Sequence, residues 1–180
     1  DWSSDVCSSD LSNTAGTISN LGSEAIVVTD SSITVVDANT ISAYTSGVVT
    51  ASITEHDLAT LLTLTETGNA YTVVLSDTTV AAGDLTSLDL KTTVSVDARS
   101  VTTLTGTAAA VQTAYNSTGI SGLGNEAVTL SDTTLAATAL NTLDGSTSGG
   151  VNAASVTTLT GTAAAVQTAY NSTGSEEHTS

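Results

Sequence analysis

Residues 100–119 read SVTTLTGTAAAVQTAYNSTG, and residues 155–174 repeat this stretch without a change. The two copies lie 55 residues apart, so the chain contains a tandem repeat. Within each copy, alternating apolar and polar residues are followed by an alanine-rich run. This change of pattern is typical of a short strand followed by a helix. A fixed period of this kind indicates a repeat architecture.

The same period extends toward the N-terminus. Residues 75–79 (LSDTT) recur as residues 130–134, again 55 positions on. An older copy precedes them, because residues 21–26 (LGSEAI) match residues 123–128 (LGNEAV). Their separation is 102 residues, whereas two full periods span 110, so about eight residues are missing between them.

Each 55-residue repeat divides into two halves, which predicts coils of about 27 residues. One half alternates through Ala127–Ser131, continues with the capping residues Asp132–Thr134, and ends in a helical run from Ala136 to Leu143. A coil of this size buries too little apolar surface to fold alone. We therefore expect a repeat solenoid, with a parallel β-sheet on one side and short helical arcs on the other. The alternative is an all-β solenoid.

The expectation can be stated in specific positions. Short helices are predicted near 80–88, 108–115, 135–143 and 163–170, each about two turns long. One inward-facing file of leucines is predicted to run through the parallel sheet: Leu75, Leu104, Leu130 and Leu159.

The two ends of the chain do not share this pattern. Residues 1–11 and 175–180 read as translated sequencing adapter, since the genetic code allows SEEHTS and SDVCSSD to be written on opposite strands of one oligonucleotide. We treat both segments as adapter-derived scars. The tandem-repeat region then spans residues 12–174, as an internal fragment of a longer parent chain.

The repeat region is strongly acidic. Setting aside the acids of the two end segments leaves 13 acids against Lys91 and Arg99, a net charge of −11. Such a charge repels phosphate backbones, so nucleic acid is not an expected partner. No apolar run is long enough to predict insertion into a membrane.

The repeat GLGNEAVTLSDTTLAATALNTLDGSTSGGVNAASVTTLTGTAAAV resembles the tandem repeats of very large, acidic, adhesin-like proteins that aquatic bacteria secrete or display. The resemblance covers most of residues 17–174. It implies an extracellular or cell-surface location and a structural or adhesive role, with no catalytic residues. It also implies that each repeat packs on neighbouring repeats of the same parent chain, and that some unknown surface or matrix ligand is bound.

Acids recur between the predicted strands and helices. Asp77 and Asp132 occupy the same place in successive repeats, and Asp30 occupies it in the older copy. The favoured interpretation is capping of the helix that follows each acid. The alternative is a ladder of calcium ligands, although calcium needs six to eight oxygens and each site offers one acid.

No arrangement of residues predicts an enzyme. Glu55, His56 and Asp57 are adjacent on a predicted helix, so their side chains diverge and cannot converge on one ion. We expect them to form a solvated first turn, with acids at the positive end of the helix. His56 is the single histidine of the repeat region, and no nucleophile-elbow motif accompanies it.

Threonines suggest a second binding function. Hydroxyl residues at alternate positions of the predicted strands would form an outward ladder of hydroxyl groups: Thr103/Thr105, Thr129/Ser131 and Thr158/Thr160. Val27 and Val74 interrupt this ladder upstream. The preferred function is a non-catalytic structural or adhesive repeat segment. The alternative is a calcium-stabilised or ice-binding module that uses this threonine-rich face.

Overall fold

The computed structural model describes residues 20–172. Within this range short parallel strands alternate with short helices, and no described sheet closes into a barrel. The adapter-derived segments predicted at 1–11 and 175–180 lie outside the described residues.

Six helices recur along the described range. Their bounds are α1 Val35–Ser42, α2 Leu58–Leu61, α3 Ala82–Asp89, α4 Ala108–Asn116, α5 Ala137–Asp144 and α6 Ala163–Asn171. The four predicted helical arcs are thereby confirmed, with ends that differ by at most two residues. The all-β alternative does not describe this part of the chain.

The strands between the helices are two to four residues long. Their bounds are β1 Ile26–Val27, β2 Val49–Ser52, β3 Ala70–Thr72, β4 Thr79–Ala81, β5 Val96–Asp97, β6 Thr103–Gly106, β7 Ile120–Ser121, β8 Ala127–Leu130, β9 Thr134–Ala136, β10 Val151–Asn152 and β11 Thr158–Thr160. All of their pairings are parallel.

We divide the described chain into six strand–helix units, each with one helix. Units 1 to 6 comprise residues 20–44, 45–64, 65–91, 92–119, 120–146 and 147–172. Every strand pairing joins one unit to the next unit along the chain. The deletion seen in the sequence falls in unit 2. Its helix α2 has four residues, whereas α4, the helix of unit 4, has nine.

The predicted file of four leucines is wrong. Leu104 lies between Val80 and Val128 in the sheet, and Leu159 lies beside Leu135. The reason is that unit 5 pairs two strands with unit 6, β8 with β10 and β9 with β11, so Leu130 in β8 and Leu159 in β11 do not lie on neighbouring strands. Similar Thr-Leu pairs therefore occupy different positions along the sheet.

The core runs through the described units as one cluster of aliphatic side chains. Units 4 and 6 show how much each unit depends on the next, because their sequences are identical over residues 100–117 and 155–172. Leu104 and Val111 of unit 4 are fully buried, whereas their counterparts Leu159 and Val166 of unit 6 are partly exposed. The difference arises because unit 5 covers unit 4, and no described unit follows unit 6.

This pair of leucines provides a matched test of the packing. Leu104→Ala is expected to lower the free energy of unfolding by about 2–5 kcal/mol, since it empties a fully buried site. Leu159→Ala changes the same residue in the same local sequence and should cost clearly less in dilute solution. Chemical denaturation monitored by circular dichroism measures both. Equal losses would contradict the packing described above.

Candidate functional site

The acids Asp77 and Asp132 connect neighbouring units. The Asp77 carboxylate, in unit 3, accepts a hydrogen bond of 2.7 Å from the backbone N–H of Leu58 in unit 2. The Asp132 carboxylate, in unit 5, accepts one of 2.7 Å from the N–H of Ala108 in unit 4. In both cases the carboxylate satisfies a free N–H at the first turn of a helix, where negative charge is favourable.

The predicted capping is therefore present, but its target was predicted wrongly. Asp77 and Asp132 do not cap the helices that follow them, because strands β4 and β9 lie in between. Those helices begin after Ala81 and Ala136, and neither residue makes a side-chain capping bond. Each aspartate instead caps the helix of the preceding unit, so one side chain both completes a helix and joins two units.

Glu55, His56 and Asp57 each contact a different element, so they do not converge on one site. Glu55 accepts a hydrogen bond of 2.9 Å from the N–H of Val35, at the start of α1 in unit 1. His56 Nδ1 lies 2.8 Å from the carbonyl oxygen of Val74 in unit 3. The expectation of a solvated first helical turn was wrong, because all three residues precede α2, which begins at Leu58, and two of the three side chains bind neighbouring units.

Asp57 has the role predicted for the group. It caps its own helix α2 by accepting a hydrogen bond of 2.8 Å from the N–H of Thr60. Hydrogen bonds from the Thr60 side chain and backbone hold the pKa of Asp57 below its usual value.

Asp30 is the third predicted calcium candidate and lies in unit 1. It is exposed and lines a surface groove with Val28, Ile33, Thr34 and Asp37. Within residues 20–172 no three histidine, cysteine, aspartate or glutamate side chains are grouped closely enough to hold a metal ion. Asp77 and Asp132 each use a carboxylate oxygen on a helix N–H.

Glu126 is a buried acid that the sequence analysis did not identify. It is 0% exposed, and its carboxylate accepts hydrogen bonds from the hydroxyl of Tyr115 at 3.1 Å and the N–H of Gly124 at 2.9 Å. Its own carbonyl oxygen accepts a bond of 2.7 Å from the Thr147 hydroxyl. Glu126 therefore joins units 4, 5 and 6. The recurring LGSE and LGNE motifs, at 21–24 and 123–126, were the signal available in the sequence.

The partner of Glu126 is also affected by burial. Removal from solvent, opposed by a hydrogen bond with Thr147 and reinforced by the negative charge of Glu126, raises the pKa of Tyr115 to about 12. The phenol therefore remains a hydrogen-bond donor across the physiological pH range. The hydrogen bond of this pair connects units 4 and 5.

The threonine-rich face forms only short ladders. Thr103 lies beside Thr79 on one side and Ala127 on the other, and Thr158 lies beside Thr134. In the neighbouring row, Thr105 lies between Ala81 and Thr129, and its hydroxyl donates to the carbonyl oxygen of Val80 at 3.3 Å. Alanines thus interrupt the predicted hydroxyl ladder within the described sheet.

Comparisons with known proteins supply no relative, since no family model, curated protein or solved structure gives a significant match. No helix between residues 20 and 172 has the length and apolar character needed to cross a bilayer.

Two equivalent glutamates allow the buried contact to be tested. Glu126→Ala leaves the Tyr115 hydroxyl and the Gly124 N–H without their acceptor, and is expected to cost roughly 2–3 kcal/mol. Glu24 occupies the same motif, with an N–H bond from Gly22 at 2.6 Å, but it is exposed. Glu24→Ala should therefore change the unfolding free energy little in dilute solution. Urea denaturation measures the unfolding free energy of both variants. Similar losses would show that the burial of Glu126 beneath Tyr115 does not contribute to stability.

A second pair separates capping from calcium binding. Asp132→Ala removes the bond to the Ala108 N–H, and we expect a loss of about 1 kcal/mol that does not depend on calcium. Asp84→Ala is the control, because Asp84 is an exposed acid in the first turn of α3 and the sister helix already carries Ala139 there.

Thermal melts with millimolar calcium, with chelator, and with sodium at matched ionic strength distinguish the two interpretations. A ligand that binds only the folded state stabilises it in proportion to the logarithm of its concentration. A melting temperature that calcium raises in the unmodified chain but not in Asp132→Ala would establish calcium binding and contradict a purely capping role.

Proposed function

We propose that this chain is a non-catalytic structural segment: a repeat solenoid that serves as a spacer or stalk within a large extracellular or cell-surface adhesin-like protein. The observation that carries the proposal is the use of four of its acidic side chains. Glu55, Asp77, Asp132 and Glu126 all bind backbone or side-chain groups of a neighbouring unit. Side chains committed in this way hold the array together and are not free for chemistry.

The pairing pattern supports a solenoid. Each described strand pairs only with strands of adjacent units, with partners 20 to 24 residues apart in sequence. The helices follow the same order, since α3 packs on α4, α4 on α5 and α5 on α6. Nearest-neighbour contacts of this kind characterise one-dimensional repeat proteins, whose length grows with the number of repeats.

The location and the adhesive context follow from the sequence. The repeat resembles those of giant acidic secreted proteins, and its net charge of −11 favours a soluble, self-repelling surface. A spacer needs many similar units and no cofactor, so the proposed segment works without catalysis. Its partners are neighbouring repeats of the parent chain, and any surface or matrix ligand is bound elsewhere on that chain.

Mechanical unfolding tests the spacer role. With optical tweezers attached near residues 20 and 172, we expect stepwise extension, because units lose contact with their neighbours one or two at a time. Release of one 55-residue repeat should lengthen the tether by about 180–200 Å. A single cooperative rupture of the whole chain would contradict a one-dimensional array. Turnover of a substrate by the chain would contradict a non-catalytic role.

A further inference from the structure

Unit 1 presents an apolar face that no described unit covers. Ile26, Val28 and Ile41 are partly exposed there, beside the groove that contains Asp30. Their counterparts in unit 5, 102 positions on, are Val128, Leu130 and Leu143, and these are at most 1% exposed. Unit 5 is covered because unit 4 pairs with it through β6 and β8 and packs α4 against α5.

Unit 6 presents the opposite face. Its residues 155–172 repeat residues 100–117 of unit 4 without a change, so its surface is the one that unit 5 covers in the interior of the chain. Tyr170 shows the consequence most clearly. It is 69% exposed, whereas its counterpart Tyr115 is partly buried and donates its hydroxyl to Glu126.

From these two faces we propose that a second copy of this chain binds head to tail, with unit 1 of one copy covering unit 6 of the other. A second copy is the expected partner because an equivalent interface already exists once in the molecule, between units 4 and 5. Unit 6 repeats unit 4 without a change over residues 155–172. Unit 1 keeps the Leu-Gly, Glu-Ala and Asp positions of unit 5, as Leu21-Gly22, Glu24-Ala25 and Asp30, and carries other aliphatic residues at Ile26, Val28 and Ile41. This inference rests on the proposed solenoid and extends it from one chain to an assembly.

The register of the new strand pair follows from the existing one. Thr103 lies opposite Ala127 and Leu104 opposite Val128 in the pair formed by β6 and β8. The corresponding contacts between copies place Thr158 opposite Ala25 and Leu159 opposite Ile26. Within the described residues the outer edges of β1 and β11 have no strand partner, so both are able to accept one.

Two side-chain contacts accompany this pairing. Asp132 accepts from the N–H of Ala108, and its counterpart Asp30 would accept from the N–H of Ala163 at the start of α6 in the other copy. Tyr115 donates to Glu126, and its counterpart Tyr170 would donate to Glu24.

The face of unit 1 already has the local geometry of the junction between units 4 and 5. The Glu24 carboxylate accepts from the N–H of Gly22, as that of Glu126 does from Gly124. The Thr45 hydroxyl donates to the carbonyl oxygen of Glu24, as that of Thr147 does to Glu126. Backbone hydrogen bonds, that with Gly22 foremost, lower the pKa of Glu24, so its carboxylate stays an acceptor at neutral pH.

Association of this type joins two different faces, so a dimer still has one free face of each kind and can add further copies. Analytical ultracentrifugation of the full chain, in 0.15 M and 0.5 M NaCl, tests it. The weight-average mass should rise with concentration from 17.8 kDa without settling at a dimer. The higher salt concentration should strengthen association, since it screens the repulsion between chains of net charge −16.

A complementation experiment identifies the faces. Asp30→Lys places a positive charge against the positive end of α6, and Tyr170→Asp places a carboxylate against Glu24. Each variant alone retains one working face and should stay at 17.8 kDa, whereas an equimolar mixture should form a complex of twice that mass. Both positions are exposed in the free chain, so circular dichroism should show an unchanged fold.

Asp84→Lys makes the same charge change on an exposed residue of α3, away from both faces, and should associate like the unmodified chain. The proposal is overturned if the unmodified chain stays monomeric up to millimolar concentration, if either end variant self-associates, or if the mixture remains monomeric. If the chain is strictly monomeric but still unfolds stepwise under force, the assembly is refuted and the proposed spacer function is not.

Discussion

Each of the six units in residues 20–172 makes its strand hydrogen bonds with a neighbouring unit, and the remaining features of the structure depend on that constraint. Helices of four to nine residues are too short to be stable alone in water. In three of the described helices, α1, α2 and α4, the first N–H group is satisfied by a carboxylate of the following unit: Val35 by Glu55, Leu58 by Asp77 and Ala108 by Asp132. Burial follows the same rule, since Leu104 is fully enclosed and the identical Leu159 is not.

Much of the fold was predictable, because helix-forming runs and alternating strands are local properties of a repeat. The four helices were located to within two residues. The inter-unit register was not predictable from motif similarity, since Leu130 lies opposite Gly106 and not opposite another leucine. Sequence likeness identifies which residues play similar roles within a unit, and it does not state how far one unit is offset from the next.

The acids illustrate the same limit at the candidate site. Capping was the correct chemistry for Asp132, yet sequence proximity suggested the wrong helix. Glu126 was overlooked because a lone acid in a polar segment indicates exposure, and only the covering Tyr115 makes it a buried acceptor. Long-range partners decide both cases. Acids that hold units together also explain how an array of net charge −11 remains associated: part of that charge faces helix N-termini.

The unchanged duplication at residues 100–119 and 155–174 has an evolutionary consequence. Because unit 6 presents the surface that unit 5 recognises on unit 4, a gene that gains or loses one 55-residue repeat recreates a junction the protein already possesses. Unequal recombination between the two copies therefore changes the length of the encoded protein without introducing an untested contact. Length becomes a property that selection adjusts in fixed increments. The shortened unit 2, with its four-residue α2, is still joined to both neighbouring units through the acids Glu55 and Asp77.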